Sequence, residues 1–370
     1  MKLMYVVGAR PNFVKVAPVM AELRRRLPEL EDTLVHTGQH YDELMSDVFL
    51  EQLGVGRPDH MLGVGSGSHA VQTARVMERI EPVLERERPD LVIVPGDVNS
   101  TLAVALVAAK MGIRLAHLEA GLRSFDRTMP EEINRIVADE LSDILFAHCD
   151  DAVANLEQAG IAPERIHFVG NTMIDSLVAV EERFRAAGCA RRLGLRAGGY
   201  VLVTLHRPAL VDGPLLAAVM DALAALAAVV PVVFPVHPRT RGNLGGGAWP
   251  GVRLVEPLGY IDFLSLEADA AAVLTDSGGV QEETTYLGVP CFTLRENTER
   301  PITVRAGTNT LLGLDPGRIA EILPAVAGGR PALLPPPPLW DGCAAERIGD
   351  VLACVRPVER LRSGGGRLPT

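Results

Sequence analysis

The stretch IRLAHLEAGLRSFDRTMPEEINR, from Ile113 to Arg135, joins a short apolar run to a dense group of ionisable side chains. The run from Ile113 to Ala116 is typical of a buried strand, so Glu119 is expected where a strand ends and a loop begins. Pro130 then predicts the start of a helix. In an open α/β sheet, ligands bind outside the carboxyl ends of the strands. The stretch therefore predicts an α/β fold with a ligand site beside Glu119.

Glu119 and Glu131 place two carboxylates on separate elements that fold back towards one crevice. A reaction that needs both an acid and a base requires such an arrangement. Structural explanations stand beside this one. Glu131 and Glu132, in the first helical turn, would complement the helix dipole. The run from Thr128 to Glu131 fits a helix-capping box, and Glu131 and Arg135 have the spacing of an ion pair within a helix.

Outward from this stretch, the first half of the chain repeats a strand, a loop and a helix. Three of its strands are LMYVVG (3–8), DTLVHTG (32–38) and DLVIVPGD (90–97), and two more are predicted at the start of ILFAHCDD (144–151) and in RIHFVGN (165–171). Repeats of roughly 30 residues are typical of a parallel sheet with crossover helices. Asp97 follows the third strand, where it would serve either as a catalytic group or as a helix N-cap.

The first helix carries two cations, Arg10 and Lys15, in its first turns. Together with the free N–H groups of a helix start they predict an anion site, whereas an ordinary solvated pair is the alternative. No GxGxxG follows the first strand, so a dinucleotide fingerprint is absent. A small-residue loop at 65–68 would cradle a phosphate or only turn the chain.

A composition change after Gly170 suggests a domain boundary, with a helix from Ile174 to Ala187 leading across. The second half restarts the pattern with YVLVTLHR (200–207), which puts His206 at a strand end. We favour a ligand role for His206. The segment VRLVEPLGYIDF (252–263) predicts a strand that runs into a loop bearing Phe263.

The segment AAVLTDSGGVQEE (271–283) is the clearest local pattern of the second half. A strand meets Ser277, Gly278 and Gly279, and a helix follows. Two glycines let the backbone approach a ligand, and the N–H groups of the helix start would face a phosphate. Glu282 and Glu283, one turn further, are placed to accept hydrogen bonds from a ribose. An N-cap role for Asp276 or Ser277 is the structural alternative.

Size and composition agree with two α/β domains and exclude several classes of protein. The 370 residues are 48% hydrophobic, and the formal net charge of −10 argues against a nucleic-acid surface. The five cysteines are widely spaced without a CxxC, so neither disulfides nor zinc is expected. No run fits a secretory signal or a membrane span, so a cytoplasmic protein is expected.

Ten motifs in order resemble the non-hydrolysing UDP-N-acetylglucosamine 2-epimerases. They are GARPNFVK (8–15), TGQHYD (37–42), PGDVNSTLA (95–103), HLEAGLRS (117–124), MPEEINR (129–135), VGNTMID (169–175), TLHR (204–207), PVHPR (235–239), TDSGGVQEE (275–283) and RENTERP (295–301). The resemblance implies two Rossmann-like domains in the GT-B arrangement, with the active site in the cleft between them. We expect residues 1–170 to form the first and 171–344 the second, with a helix at about 345–360 packing back on the first and a disordered tail at 361–370.

The resemblance also assigns roles to residues of this sequence. Catalytic roles fall on Asp97, Glu119, Glu131 and His206, and substrate-binding roles on Arg10, Lys15, Phe263, Ser277, Gly278, Gly279, Glu283 and Arg300. Family members eliminate UDP to a 2-acetamidoglucal and add it back, with no metal or redox cofactor. The sequence leaves open which carboxylate is the acid and which is the base. Pro208, Ala209 and Leu210 replace the usual Glu-Asn after the His-Arg pair, which removes a polar loop contact.

The expected partner is a UDP-sugar, interconverted between UDP-GlcNAc and UDP-ManNAc. Alternatives are an epimerase of a modified UDP-sugar such as a diacetamido-uronic acid, a hydrolysing 2-epimerase, a GT-B glycosyltransferase and a non-catalytic UDP-sugar-binding protein. The resemblance further implies a homodimer. A second, allosteric UDP-GlcNAc site is also possible by resemblance, with contributions from Gln39, His40 and the 65–68 loop.

Overall fold

The computed structural model describes residues 1–39, 50, 52–244, 247, 249–329 and 335–355. These residues form two parallel β-sheets, each covered by helices on both faces. The sequence also predicts a helix that follows Asp42 and runs through Leu53, and this segment falls almost entirely outside the described residues. The predicted tail at 361–370 lies outside them as well, and so do residues 331–334 of the Pro-rich run PALLPPPPL (331–339).

The first sheet has seven parallel strands in the order β3-β2-β1-β4-β5-β6-β7. The strands are β1 (Lys2–Val7), β2 (Glu31–His36), β3 (His60–Met61), β4 (Leu91–Pro95), β5 (Arg114–Ala120), β6 (Ile144–Ala147) and β7 (Ile166–Phe168). The helices are α1 (Arg10–Arg26), α2 (His69–Glu87), α3 (Asn99–Lys110), α4 (Pro130–Leu141) and α5 (Asp150–Gln158). Strand order reverses between β1 and β4, which opens a crevice at their carboxyl ends.

The second sheet has six parallel strands in the order β10-β9-β8-β11-β12-β13. They are β8 (Val201–Thr204), β9 (Val232–Pro235), β10 (Val252–Val255), β11 (Ala272–Thr275), β12 (Cys291–Thr293) and β13 (Asn309–Leu311). Three short helices precede it: α6 (Thr172–Ala179), α7 (Glu181–Ala187) and α8 (Cys189–Arg192). The others are α9 (Pro208–Val211), α10 (Leu215–Ala227), α11 (Pro238–Leu244), α12 (Tyr260–Asp269), α13 (Gly278–Leu287), α14 (Pro301–Arg305), α15 (Ile322–Gly328) and α16 (Ala344–Ala353).

The central strands are apolar throughout because both faces of each sheet are buried. In β4, Leu91 and Ile93 pack into the core on one face, and Val92 and Val94 into the core on the other. Successive side chains of a strand point to opposite faces, so a strand covered on both sides has no polar face to offer water. The continuous apolar pattern that predicted these strands follows from this double burial.

The chain leaves the first sheet at Gly170 and returns beside it at Leu339. Gly170 has φ of 88°, and a side chain there would overlap the backbone of Leu339, so the crossing needs a glycine. Trp340 follows, fully buried, and its Nε1–H donates to the carbonyl of His148 over 2.8 Å. The returning chain is thus anchored on the first sheet.

The last described helix, α16, packs on α1. Its residues Ala345, Ile348 and Leu352 belong to the same apolar core as Phe13 and Val16 of α1. The carboxylate of Asp175, on α6, accepts hydrogen bonds from the first two N–H groups of α16, those of Ala344 and Ala345. Asp175 thereby satisfies donors that a helix start leaves open.

Two local expectations were wrong. The single helix predicted from Ile174 to Ala187 is broken at Val180 (φ −113°, ψ 9°), which lets Leu177, Val180 and Phe184 enter one core. Phe263 lies on α12 rather than in a loop, because Gly259 in extended conformation begins a helix four residues earlier. Within the described residues, no helix is both long and apolar enough to span a membrane.

Candidate active site

Glu119 lies near the end of β5 in a left-handed backbone conformation. Its φ is 67°, and the pairing of β5 with β6 shifts register between Leu118 and Ala120. The strand therefore extends further than the apolar pattern predicted, with a bulge at Glu119. A non-glycine residue in this region is uncommon and is held there by its surroundings. The bulge turns the Glu119 carboxylate towards the crevice.

The Glu119 carboxylate is paired with two cations from different parts of the chain. Lys15 of α1 contacts Oε2, and Arg300 from the second sheet contacts Oε1. Only 9% of the Glu119 side chain is exposed. Burial raises the pKa of Glu119, but Lys15 and Arg300 outweigh it and hold the pKa below its ordinary value. The two sheets are joined here by a buried ion pair.

Arg300 is the centre of a larger cluster. Besides Glu119, it contacts Glu282 of α13 through Nε at 2.8 Å and Glu299 through Nη1 at 2.6 Å. Burial raises the pKa of Glu282, whereas Arg300 and His148 lower it to about 2 overall. Glu282 is thus occupied by protein groups, and the sequence-based role as a ribose acceptor does not fit it.

Asp97 and the start of α4 form the adjacent part of the site. Arg135 contacts Asp97 and also Glu132, whose carboxylate accepts hydrogen bonds from the backbone N–H groups of Ser124 and Phe125. Glu132 and Arg135 therefore support the loop structurally. Two structural explanations for Glu131, the capping box and the pair with Arg135, do not apply as predicted. The N-cap, Met129, makes no side-chain cap, and the acidic partners of Arg135 are Asp97 and Glu132. The third, an interaction with the helix dipole, fits because Glu131 lies in the first turn of α4.

Asp276 organises the strand end that faces this cluster from the second sheet. Its Oδ2 accepts hydrogen bonds from the N–H groups of His206 and Arg207, and its Oδ1 lies 2.7 Å from His206 Nδ1. The imidazole of His206 is 58% exposed, so its second nitrogen is accessible to a ligand. Burial raises the pKa of Asp276, but His206 and the two N–H groups bring it below its ordinary value.

The N-terminus of α13 is built for close approach. A side chain at Gly278 would overlap the Arg300 guanidinium, and one at Gly279 would lie 2.8 Å from the terminal methyl of Met173. Ser277 occupies the N-cap position without making a side-chain cap, which leaves its hydroxyl available. Ten residues of α13 direct their dipole at this point. An anion fits here.

Glu283 is buried further along α13. Burial raises the pKa of the Glu283 carboxyl to about 8, against a lowering contribution from a hydrogen bond with Tyr260. Glu283 is therefore largely neutral in the ligand-free protein near neutral pH. Phe263, on the neighbouring α12, is partly buried against the second sheet, and Arg10 lies exposed at the start of α1.

The family model described as UDP-N-acetylglucosamine 2-epimerase matches residues 21–353. The chain belongs to the UDP-N-acetylglucosamine 2-epimerase family. Its members are isomerases, and this chain is one of them.

Individual members of the epimerase family cover nearly the whole chain. It is 41% identical over 332 residues to "UDP-N-acetylglucosamine 2-epimerase" of Methanococcus maripaludis, a match covering 86% of this chain and 89% of the relative. It is 42% identical over 327 residues to "UDP-2,3-diacetamido-2,3-dideoxy-D-glucuronate 2-epimerase" of Pseudomonas aeruginosa, covering 87% and 91%. The crystal structure of the Methanocaldococcus jannaschii epimerase with UDP-GlcNAc and UDP superposes with a TM-score of 0.87 at 38% identity, covering 95% and 99%.

Membership of the epimerase family confirms the predicted fold, two Rossmann-like domains in the GT-B arrangement, and the predicted enzyme class. The roles of individual residues stay predictions. The structure brings Lys15, Glu119 and Arg300 into direct contact and places His206 beside Asp276. Arg10 lies at the start of α1, Phe263 on α12 and Glu131 in the first turn of α4.

Several residues of this site escaped the sequence-based assignment. The sequence analysis considered Asp276 as an N-cap, Glu282 as a ribose acceptor and Arg135 as a partner of Glu131 within the helix. The structure places all three in ion pairs around the site. The available signal was charge next to a strand end. His148 also directly follows a strand, β6, and its Nε2 lies 3.2 Å from Oε1 of Glu282.

One group of potential metal ligands occurs among the described residues, away from these carboxylates. Cys149, Asp150 and Asp151 have ligand atoms within 4.8 Å of one another. Arg305 contacts Asp150 and Asp151 at 3.1 and 2.7 Å, so these two carboxylates already have a cationic partner. They form an ion pair between the two halves of the molecule.

Proposed function

We propose that this chain interconverts UDP-GlcNAc and UDP-ManNAc without hydrolysing them. The observation that carries the proposal is the meeting of candidate catalytic carboxylates on the first sheet with an anion-binding helix start on the second. The Glu119–Arg300 contact joins the two sides. A nucleotide-sugar that spans this junction would have its diphosphate at α13 and its sugar at the carboxylates.

The chemistry explains why both sides are needed. The C2 proton of the sugar is not acidic, so direct removal is slow. In the proposed reaction a base takes that proton, the C–H electrons form a C1–C2 double bond, and the C1–O bond breaks to release UDP. Re-addition of UDP to C1 and delivery of a proton to the opposite face of C2 give the epimer. The overall change is an isomerisation, so its balance requires no oxidant or reductant.

The departing diphosphate requires fixed positive charge and hydrogen-bond donors. Arg10, His206 and the Ser277–Gly279 backbone are proposed to supply them, since donors aimed at developing negative charge stabilise a transition state. The helix start of α13 and the exposed nitrogen of His206 support this assignment. We further propose that Glu283 binds the ribose, Phe263 lies near the uracil, and Lys15 and Arg300 contact the substrate.

Asp97, Glu119 and Glu131 are proposed as the acidic catalytic set. Epimerisation needs an acid and a base on opposite faces of C2, and carboxylates in different surroundings can take these two roles. Glu119 has its two oxygens against cations, whereas Glu131 is partly exposed at the start of α4. Their surroundings therefore differ as such a division requires.

Incubation of UDP-GlcNAc with the enzyme in D2O, followed by NMR, tests the proposal. Deuterium should appear at C2 and UDP-ManNAc should accumulate. Free ManNAc with UDP would indicate a hydrolysing epimerase, and UDP release only with an acceptor would indicate a glycosyltransferase. Conversion of a UDP-diacetamido-uronic acid but not of UDP-GlcNAc would identify the modified sugar as substrate. Binding without any turnover would leave a UDP-sugar-binding protein.

We also propose a homodimer that works in the cytoplasm and carries a second UDP-GlcNAc site. The thiols of all five cysteines are free, which is typical of a reducing compartment. The second site is supported by the packing of the Gln39 segment on the 65–68 loop, where Gly65 N–H donates to Gly38 O over 3.0 Å. Analytical ultracentrifugation tests the dimer. Conversion of UDP-ManNAc that begins only after traces of UDP-GlcNAc are added would support the second site.

The domain division is likewise proposed as 1–170 together with α16, and 171–344. The packing of α16 on α1 supports it. Limited proteolysis should cut near the crossing segments before it cuts within either sheet; early cuts inside a sheet layer would contradict the division.

A further inference from the structure

A buried pair, His117 and Asp139, lies directly behind the strained end of β5. His117 is on β5 and Asp139 on α4, and both side chains are 1% exposed or less. Nδ1 of His117 lies 2.7 Å from Oδ1 of Asp139. Neither residue belongs to the proposed catalytic or substrate-binding set, and the proposed chemistry makes no use of them.

Asp139 holds the bulged segment from its far side. Its carboxylate accepts hydrogen bonds from the N–H of Gly121, at 3.3 and 3.2 Å, and from Nη1 of Arg123, at 2.6 Å. Gly121 has φ of 85° and stands two residues after Glu119, whose φ is 67°. A non-glycine residue such as Glu119 keeps this conformation only where neighbouring contacts impose it. The Asp139 carboxylate is such a contact.

His117 holds the neighbouring loop. Its Nε2 lies 2.7 Å from the carbonyl oxygen of Gly96, the residue before Asp97. A backbone carbonyl oxygen can only accept, so Nε2 of His117 is the donor in this hydrogen bond. In return, the N–H of Gly96 donates to the carbonyl of Leu118 over 2.9 Å, one residue before Glu119. His117 thus fixes the end of β4 against the end of β5.

The three elements joined by this pair are those that carry the three candidate carboxylates. β4 leads into Asp97, β5 carries Glu119, and α4 begins with Glu131. The contacts of the pair reach the backbone beside two of these carboxylates, at Gly96 next to Asp97 and at Gly121 near Glu119. A pair that only stabilised the fold would not need contacts at these positions. We propose that His117 and Asp139 are positioning residues, which set the relative placement of Asp97, Glu119 and Glu131. This inference rests on the proposed epimerase function.

Three variants test the inference. Asp139→Asn keeps the shape and replaces the carboxylate with an amide, His117→Phe keeps a ring and removes both ring nitrogens, and His117→Gln restores one N–H donor. We expect kcat to fall by about 10²-fold in Asp139→Asn and His117→Phe, because small displacements of catalytic groups cost this much. KM and the affinity for UDP should stay within threefold, since α13 is untouched. His117→Gln should recover part of kcat.

Asp143→Asn is the matched control. Asp143 also clamps β5, by accepting from the N–H of Leu115 over 2.8 Å, but at the end away from Glu119. It should retain wild-type kcat. Denaturation curves identify any variant that fails to fold, in which case the milder His117→Gln decides the question through kcat alone.

Two results would overturn the inference. One is wild-type kcat in folded Asp139→Asn and His117→Gln. The other is a parallel loss of kcat in Asp143→Asn, which would mark a general effect of β5 stability. Failure of the proposed function is separate, because it would appear first as a wild-type enzyme that neither epimerises UDP-GlcNAc nor exchanges C2.

Discussion

At the scale of single residues, Glu119 illustrates how surroundings restrict a carboxylate. Lys15 and Arg300 stabilise its charged form and lower its pKa, which makes it a weaker base. A substrate that displaced one of these cations would restore some of its basicity. Glu131, by contrast, is partly exposed in the first turn of α4. Substitution of Glu131 is therefore the more direct test of acid–base chemistry.

Glu131→Gln should lower kcat for epimerisation by about 10²- to 10⁴-fold, the range that a general acid or base contributes. UDP affinity, measured by calorimetry, should change little because the proposed nucleotide site is at α13. Glu140→Gln, an exposed substitution on the same helix, is the control and should change neither kcat nor UDP affinity. Full activity in Glu131→Gln would return Glu131 to a structural role at the start of α4.

Replacing Glu283 is expected to raise the stability of the protein and to weaken its binding of UDP. Its folded-state pKa of about 8 lies above the value of an exposed glutamate, so between about pH 4.5 and 8 the folded state keeps a proton that the unfolded state releases. The free energy of unfolding therefore decreases as pH rises through this interval. Glu283→Gln removes that decrease, so the variant should gain stability over the wild type, and gain more at pH 8 than at pH 5.

Urea unfolding of both proteins at the two pH values measures this difference. In the same variant UDP should bind more weakly, because the proposed ribose acceptor is lost. Glu164→Gln, at a surface turn, supplies a control in which neither quantity changes. Equal stabilisation at pH 5 and pH 8 would show that ionisation of Glu283 does not contribute.

The sequence predicted which residues lie at strand ends but not how they pair. Glu119, Asp97 and His206 were recognised because each follows an apolar run. The contact between Glu119 and Arg300 joins positions 181 residues apart, and nothing local to either residue specifies it. The left-handed φ of Glu119 could not be predicted from the sequence either, because it depends on contacts that Asp139 and Gly96 make with the adjacent backbone.

At the scale of secondary-structure elements, the start of α13 is the position where an added side chain has the least space. Gly278→Ala would push a methyl group against the Arg300 guanidinium, which is itself held by three carboxylates. We expect roughly a tenfold or greater loss of UDP affinity, equivalent to ~1.4 kcal/mol or more, measured by calorimetry.

The control for that substitution is Gly242→Ala in α11, where an added Cβ meets nothing within 4 Å. Alanine favours helix formation over glycine, so Gly242→Ala should leave UDP affinity unchanged and slightly raise stability. Unchanged UDP affinity in Gly278→Ala would mean that the close approach of backbone at α13 has no role in nucleotide binding.

Elements with strong periodicity were the predictable ones. Continuous apolar runs, such as those that form β4 and β8, predict strands that are buried on both faces. The two-residue strand β3 was not anticipated, because its pairing with β2 rather than its own sequence defines it. The break at Val180 was missed for a similar reason, since it serves the packing of Leu177 and Phe184 in tertiary structure.

At the scale of the whole molecule, Trp340 fastens the returning chain to the first sheet. Trp340→Ala removes a fully buried indole and its hydrogen bond to His148, so the free energy of unfolding should fall by about 3–5 kcal/mol. Epimerase activity should fall as well, because His148 contacts Glu282 in the ion-paired cluster.

Trp249→Ala is the matched control for that substitution. Trp249 lies at the edge of the second core and is only partly buried, so its loss should cost clearly less. Denaturant unfolding of both variants decides between the two positions. Equal destabilisation would show that Trp340 has no special part in joining the halves of the molecule.

The packing of α16 on α1 also constrains how the protein is made. As the chain emerges from the ribosome, the first sheet appears early, yet one side of its core stays open until the whole second sheet has been translated. Vectorial folding, in which an N-terminal domain finishes before the next begins, is therefore interrupted here. The exposed face of α1 during that interval is a natural place for a chaperone to act.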